Sequence, residues 1–246
     1  MIKNSKIVLL VIYLADYNKA LEIDPNFAKA YRNRGLTRTQ QKDYQAALTD
    51  FDKAISINSS YAEAYSDKAN IRRLQKDYAA AITEASTALK FSPKLATAYY
   101  VRGLSQFALK NYQAALADYD KVIDSSVQWA EAFVNRGVAR FAIGEYKDAT
   151  KDFDRAIDLD DSYTDAYYRR SVVRFARKKY EDAIKDCDRI LKLNPNYPEA
   201  YETKGNSLLA LNKKVDAKLA FEQAIKFYSQ SGDSDSVKRV QKQLVP

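Results

Sequence analysis

Residues 31–35 read YRNRG and residues 133–137 read FVNRG, two nearly identical stretches that begin 102 residues apart, or three times 34. Steps of 34 from Tyr31 reach an aromatic residue each time: Tyr65, Tyr99, Phe133, Tyr167 and Tyr201. The same step from Gly35 reaches only small residues: Ala69, Gly103, Gly137, Ser171 and Gly205. A fixed period of this length indicates an array of one repeated structural unit.

Two further columns keep the same period. Alanine occupies one column throughout, at Ala47, Ala81, Ala115, Ala149, Ala183 and Ala217. Tyrosine occupies the other at Tyr44, Tyr78, Tyr112, Tyr146 and Tyr180, until Lys214 takes the sixth place. The apolar and small residues between them recur at helical spacing, and Pro25, Pro93 and Pro195 fall at unit ends. Each unit is therefore predicted to be a helix A, a tight turn and a helix B, with small residues that let the helices approach closely.

The pattern resembles the tetratricopeptide repeat family, whose units read aromatic-x2-Leu-Gly-x2-aromatic, then Ala-x3-aromatic, then Pro. Here it appears as Tyr99, Gly103, Ala115 and Tyr119, and again as Phe133, Gly137, Ala149 and Phe153. The resemblance implies an all-α fold, a right-handed α-solenoid of helix-turn-helix repeats. We predict an orphan N-terminal helix B in residues 1–27 and a capping helix in residues 232–246. The six predicted repeats lie between them, at 28–61, 62–95, 96–129, 130–163, 164–197 and 198–231.

The composition excludes several classes of function. The 246 residues include no histidine and one cysteine, and the six glycines form no GxGxxG or GxxxxGK motif. Cys187 shares the column of Phe51 and Phe153 and is expected in the core. The sequence therefore predicts no catalytic residue, no cofactor, no metal and no small-molecule substrate. The alternative from a different class is the regulatory array of a larger enzyme, with the activity in another polypeptide.

Cations stand where the family prefers leucine. They are Arg34, Lys68, Arg102, Arg136, Arg170 and Lys204, followed one turn later by Arg38, Arg72, Arg140 and Arg174. Cations that face neighbouring helices need partners. An acid precedes each cation of the first set at one constant separation, at Asp16, Asp50, Glu84, Asp118, Asp152 and Asp186. Pairing within a unit instead fails in the last unit, where Ala220 takes the place of the acid, so we predict ion pairs between helix B of one repeat and helix A of the next.

Helix A carries the predicted partner-binding residues. The resemblance implies that A helices line a concave groove, and the middle units put apolar residues there: Tyr100, Leu104, Phe107, Val134, Val138, Phe141, Tyr168, Val172 and Phe175. Polar groove residues are Arg32, Asn33, Asn70, Asn135 and Arg169. We predict that the groove binds an apolar or amphipathic segment of another protein. The alternative is that adjacent A helices fill these positions themselves, as core.

Charge supports a second, weaker hypothesis. Lysine and arginine number 40 against 32 acids, and a lysine ridge runs along the A-to-B turns at Lys42, Lys76, Lys110, Lys178, Lys179, Lys213 and Lys214. We interpret this ridge as a solvated edge that keeps the repeat array soluble, with contact to RNA or anionic lipid as the alternative. Six other cations already have matching acids, and no aromatic residues alternate with the basic ones, so a nucleic-acid partner is not expected.

The two ends of the chain differ from the repeats. Residues 15–27 match the last part of a unit, and the apolar stretch IVLLVIYLA at 7–15 precedes them. We interpret this stretch as a truncated or buried helix, with targeting or membrane anchoring as the alternative, and expect a cytoplasmic location. Residues 233–244 place Val237, Val240 and Leu244 on one helical stripe, which is typical of the cap that a repeat array needs for solubility.

Overall fold

A computed structural model describes the backbone of residues 2–125 and 129–244, with side chains from residue 9 onward. Residues 126–128 of the predicted third repeat and 245–246 of the predicted cap lie outside the described residues, and of the 7–15 stretch the side chains of residues 7 and 8 are not described. The described residues form fourteen helices and no strand. The helices are α1 Ile2–Ile23, α2 Ala28–Gln40, α3 Tyr44–Ile57, α4 Ala62–Leu74, α5 Tyr78–Phe91, α6 Ala96–Ala108, α7 Tyr112–Ile123, α8 Ala130–Ala142, α9 Tyr146–Leu159, α10 Thr164–Ala176, α11 Tyr180–Leu193, α12 Pro198–Ala210, α13 Lys214–Gln230 and α14 Ser234–Gln241.

The chain divides into two compact units, Met1–Val127 and Gln128–Pro246. The first holds α1 to α7 and the second α8 to α14. From α2 to α13 the even-numbered helices are A helices, and each packs against the B helix that follows it. The predicted all-α fold of helix-turn-helix repeats is therefore confirmed.

The turn between helix A and helix B requires a left-handed residue. Positive φ angles recur with the period of the repeat, at Lys42 (64°), Lys76 (65°), Lys110 (62°), Gly144 (83°), Lys178 (59°) and Asn212 (58°). Most side chains disfavour this conformation, whereas glycine and asparagine adopt it readily. Four of the ridge lysines therefore occupy strained backbone positions.

The turn from helix B to the next helix A is held by a side chain. Asn58 and Asp160 each use Oδ1 to accept a hydrogen bond from the backbone N–H two positions later, at 3.1 and 2.9 Å. Asp24 and Asn194 do the same at the equivalent positions. These Asx turns follow α1, α3, α9 and α11 and start the next hairpin.

Each hairpin closes by a match in size between one position of helix A and one position of helix B. A Cβ on Gly35 would lie 2.7 Å from the Phe51 ring, and one on Gly205 would lie 2.5 Å from the Phe221 ring. Gly103 meets Tyr119 and Gly137 meets Phe153 in the same way. Where the small residue is larger, its partner is smaller: Ala69 packs with Ala85, and Ser171 contacts Cys187. A larger residue at one position is thus accompanied by a smaller one at the other, as close contact between the two helices requires.

Two buried side chains in the Phe51 column have unusual environments. Burial raises the pKa of the Cys187 thiol to about 12, which keeps it protonated and unreactive, as the sequence predicted for a core residue. The phenol oxygen of Tyr119 is buried without a hydrogen-bond partner among the described residues.

The first and last helices are only partly covered. Helix α1 buries Leu10 and Leu21 but leaves Leu9, Val11, Ile12 and Tyr13 about half exposed. Helix α14 buries Val240 completely against α13, with Val237 and Leu244 packed beside it. Within residues 2–125 and 129–244, no helix combines the length and apolarity that a membrane span needs.

Candidate functional site: charged clamps and the A-helix face

The column of cations forms salt bridges inside each of the first five repeats. Arg34 bonds Asp50 at 2.6 Å, Arg102 bonds Asp118 at 2.7 Å, and Lys68 bonds Glu84 at 2.9 Å. Arg136 with Asp152 and Arg170 with Asp186, each at 2.6 Å, repeat the arrangement in the second unit. The prediction that these acids pair with the cation of the following repeat is wrong, since the bonds run back to the cation on helix A of the same repeat.

Helix geometry explains the correction. Residues two apart on a helix point about 200° apart. Asp50 therefore faces its own helix A, while Asp52 faces the next one and bonds Lys68 at 2.8 Å. The same second acid position supplies Asp154 to Arg170 at 2.6 Å. A bond between repeats does exist, but a different column of acids supplies it.

A second arginine completes three of the pairs. Arg38 reaches Asp50 at 2.8 Å, so one carboxylate binds two guanidinium groups. Arg140 joins Asp152 at 2.8 Å and Arg174 joins Asp186 at 2.7 Å. We call each set of an acid and its two arginines a clamp.

The clamp carboxylates are almost fully buried, with side chains 2 to 3% exposed. Burial raises the pKa of Asp152 and of Asp186, and the two arginines on each oppose that rise. A charge in such a place is tolerated because the bonds compensate its lost hydration.

Four arginines of the cation column also lie over the aromatic ring one helical turn before them. The guanidinium carbon of Arg34 is 5.3 Å from the centroid of Tyr31, and that of Arg170 is 5.3 Å from the centroid of Tyr167. Arg102 and Arg136 lie over Tyr99 and Phe133 in the same way, at 5.4 and 5.6 Å. The face of each guanidinium is thus covered by an aromatic ring, and its N–H groups bond a carboxylate. The arginine of the NRG motif is therefore a structural residue.

The predicted apolar groove residues of the second unit lie on α8 and α10. Val138, Phe141, Val172 and Phe175 are half-buried, and Val134 is 3% exposed. Phe141 packs on Tyr146 with ring centroids 5.4 Å apart. Phe175 packs on Tyr180 at 5.5 Å, and Tyr168 on Tyr197 at 5.7 Å. These side chains are anchored from one side and partly exposed on the other, apart from Val134, which belongs to the core.

In the first unit, α6 carries the equivalent residues. Tyr100, Leu104 and Phe107 are half-buried. Phe107 packs on Tyr112 with ring centroids 5.4 Å apart, in the same way as its counterparts in the second unit.

The predicted polar groove residues mostly bond to near neighbours. Arg32 bonds Asp67 of the next A helix, and the Asn70 amide oxygen accepts a hydrogen bond from Arg73. Asn135 donates to the Glu131 carbonyl at 2.8 Å, and Arg169 bonds Asp165 at 3.1 Å. Asn33 is half-buried on α2. Within the described residues, no group of three or more potential metal-ligating side chains occurs.

Comparison with known sequences agrees with this architecture. A profile described as tetratricopeptide repeat matches residues 28–61, and a second with the same description matches 66–127 and 134–198. Together they cover more than half of the chain, which therefore belongs to the tetratricopeptide repeat family. Comparison with curated proteins gave no significant match.

Solved structures share the fold at low sequence identity. The MamA protein is 23% identical, with a TM-score of 0.64 over 70% of this chain and 94% of its own. YrrB, described as a TPR protein with an unusual peptide-binding site, is 20% identical, with 0.65 over 78% of this chain and 97% of its own. The PilF protein of Pseudomonas aeruginosa is 17% identical, with 0.75 over 88% and 97%. At these identities the likeness concerns the fold.

Proposed function

We propose that this protein is a non-catalytic scaffold that binds an apolar or amphipathic segment of other proteins on the A-helix face of its repeats. The observation that carries the proposal is the row of Val138, Phe141, Val172 and Phe175 on α8 and α10. The two phenylalanines pack on tyrosines of helix B, and all four side chains remain partly exposed. Ordered, exposed apolar side chains on neighbouring helices are typical of a protein-binding surface.

The charges of the chain favour an apolar partner over an acidic one. The half-buried arginines of the cation column are bound to acids of helix B, and Arg32 is bound to Asp67. None of these cations is available to bind a carboxylate of a partner. The apolar side chains on α8 and α10 have no polar group to pair, so an apolar partner only has to displace water from them. The family relationship and the peptide-binding site for which YrrB is described support a peptide or helix as the occupant.

The test replaces the two valines, since the phenylalanines also pack on tyrosines and their loss would weaken the fold. We expect Val138→Asp with Val172→Asp to remain folded and to lose the bound partner, because two carboxylates would have to be desolvated on binding. The measurement is affinity capture from source cells, followed by calorimetry with the recovered partner.

Lys192→Glu on α11 is the matched control, since it changes an exposed charge outside the A-helix face. It is expected to recover the same proteins as the wild type. Recovery of those proteins by the valine variant would show that the A-helix face is not the binding site. Loss of its helical circular dichroism would show that these positions are core.

A further inference from the structure

The last hairpin differs from the others in the partners of its column cation. In four of the other hairpins the column cation has a partner on both sides: its own helix B, and the helix B before it. Arg34 bonds Asp50 and Asn18, Lys68 bonds Glu84 and Asp52, Arg102 bonds Asp118 and Ser86, and Arg170 bonds Asp186 and Asp154. Two oxygen partners are thus the normal state of this position.

Lys204 has only one of these two partners among the described residues. Its Nζ bonds Asp188 of the preceding helix B at 2.6 Å. The acid of its own helix B is replaced by Ala220, and the place of the second arginine is taken by Leu208. The side chain of Lys204 is 30% exposed, against 16% for Lys68, which has both carboxylates.

A cavity of about 330 Å³ occupies the place of the missing clamp. Its lining is Tyr201, Lys204, Leu208, Asp216, Leu219, Ala220 and Gln223. Lys204, Leu208 and Ala220 are the three clamp positions, and Tyr201 is the aromatic over which the column cation lies in other repeats. Leu219 on the rim is 57% exposed, so the cavity opens beside an apolar surface.

We propose that this cavity binds one acidic side chain, with an apolar neighbour, from a partner polypeptide. The carboxylate bonds Lys204 Nζ in the place that Glu84 or Asp186 fills in its own hairpin, and the apolar neighbour lies on Leu208 and Leu219. Asp216 in the lining repels any incoming carboxylate, so the preference for an acid depends on the contact with Lys204 Nζ. The site lies between α12 and α13, so it is separate from the apolar row on α8 and α10.

The experiment uses two capped peptides, acetyl-Ala-Leu-Glu-Leu-Ala-amide and its Gln counterpart, titrated into the full-length protein. Amide chemical shifts of α12 and α13 report binding. We expect the Glu peptide to bind about fivefold more tightly than the Gln peptide, the range for one partly exposed ion pair. Equal dissociation constants, or shifts elsewhere only, would overturn the proposal.

Two variants test the chemistry. Lys204→Met is expected to abolish the preference for Glu over Gln. Ala220→Asp supplies the missing carboxylate from within and is expected to abolish binding of the Glu peptide while raising the melting temperature. Retention of Glu-specific binding by either variant would contradict the site. Self-association of the wild type that Ala220→Asp abolishes would show that a second copy is the occupant, and would overturn the proposal of a separate partner.

Discussion

The fifth hairpin, α10 with α11, and the sixth, α12 with α13, close in different ways. The fifth has a complete clamp of Arg170, Arg174 and Asp186, and its close-contact pair is Ser171 with Cys187. The sixth has no clamp, and its close-contact pair is Gly205 with Phe221. In both hairpins helix A packs against the helix B that follows it. The clamp is therefore not needed to close a hairpin, whereas the size match at the helix contact occurs in both.

This comparison agrees with the general behaviour of buried ion pairs. Their mutual attraction is largely offset by the hydration that both charges lose. The clamps fix which side chains meet, while apolar packing supplies most of the free energy of folding.

The largest expected effect comes from breaking the fifth clamp on one side. Asp186→Ala leaves Arg174 without a carboxylate and Arg170 with Asp154 alone in a mostly buried place, and we expect a loss of about 3 to 5 kcal/mol in the free energy of unfolding. Chemical denaturation measures it. Asp188→Ala, which removes an exposed acid, is the control, with an expected loss of about 0 to 1 kcal/mol. Similar losses for the two variants would contradict the role assigned to burial.

The second change makes the fifth hairpin more like the sixth. Adding Arg174→Leu to Asp186→Ala removes the arginine that has lost its carboxylate and restores apolar packing, as Leu208 does in α12. We expect the double variant to regain about 1 to 3 kcal/mol relative to Asp186→Ala alone. A double variant no more stable than the single one would show that the clamp contributes more than compensation of charge.

The third change tests the size match in the sixth hairpin. Gly205→Ala places a Cβ 2.5 Å from the Phe221 ring, so we expect a loss of about 1 to 3 kcal/mol despite the better helix propensity of alanine. Ser171→Ala in the fifth hairpin is the control and should cost less than about 1 kcal/mol. If Gly205→Ala stabilised the protein, the close contact would not limit this position.

The fourth change concerns Tyr119, which occupies in the third hairpin the position that Phe221 occupies in the sixth. Tyr119→Phe removes a buried hydroxyl that lacks a hydrogen-bond partner among the described residues, and we expect a gain of about 1 kcal/mol. Thermal melting of the two proteins measures the difference. A loss of stability would show that the hydroxyl does bond, for instance through water.

The smallest effect is expected at the turns, where the fifth hairpin has Lys178 and the sixth has Asn212 at positive φ. Lys178→Gly should raise the stability by about 0.5 to 1 kcal/mol, since glycine relieves the strain. Lys179→Gly is the control, because Lys179 has an ordinary φ of −91° and should lose stability or stay unchanged. Equal effects at both lysines would contradict a role for φ.

Much of the hairpin could be predicted from the columns. The repeat period, the alanine column and the aromatic column predicted two helices per repeat in close contact, as observed. The complementary sizes of Gly205 with Phe221 and Ala69 with Ala85 were also readable in the sequence at a constant separation, although only the structure shows that the two positions touch. The partner-binding residues on α8 and α10 remain a prediction.

The sequence by itself determined the period, the repeat class and the need for every buried cation to find an acid. It could not determine which acid, because a strict repeat preserves the separation within a unit as faithfully as the separation between units. Only the tertiary structure decided that Asp50 points to its own helix A and Asp52 to the next, since side-chain direction around a helix depends on how the helices pack. The cavity beside Lys204 has the same origin. Ala220 occupies the position whose side chain points to helix A of its own repeat, and alanine leaves open the space that an acid fills in the other repeats.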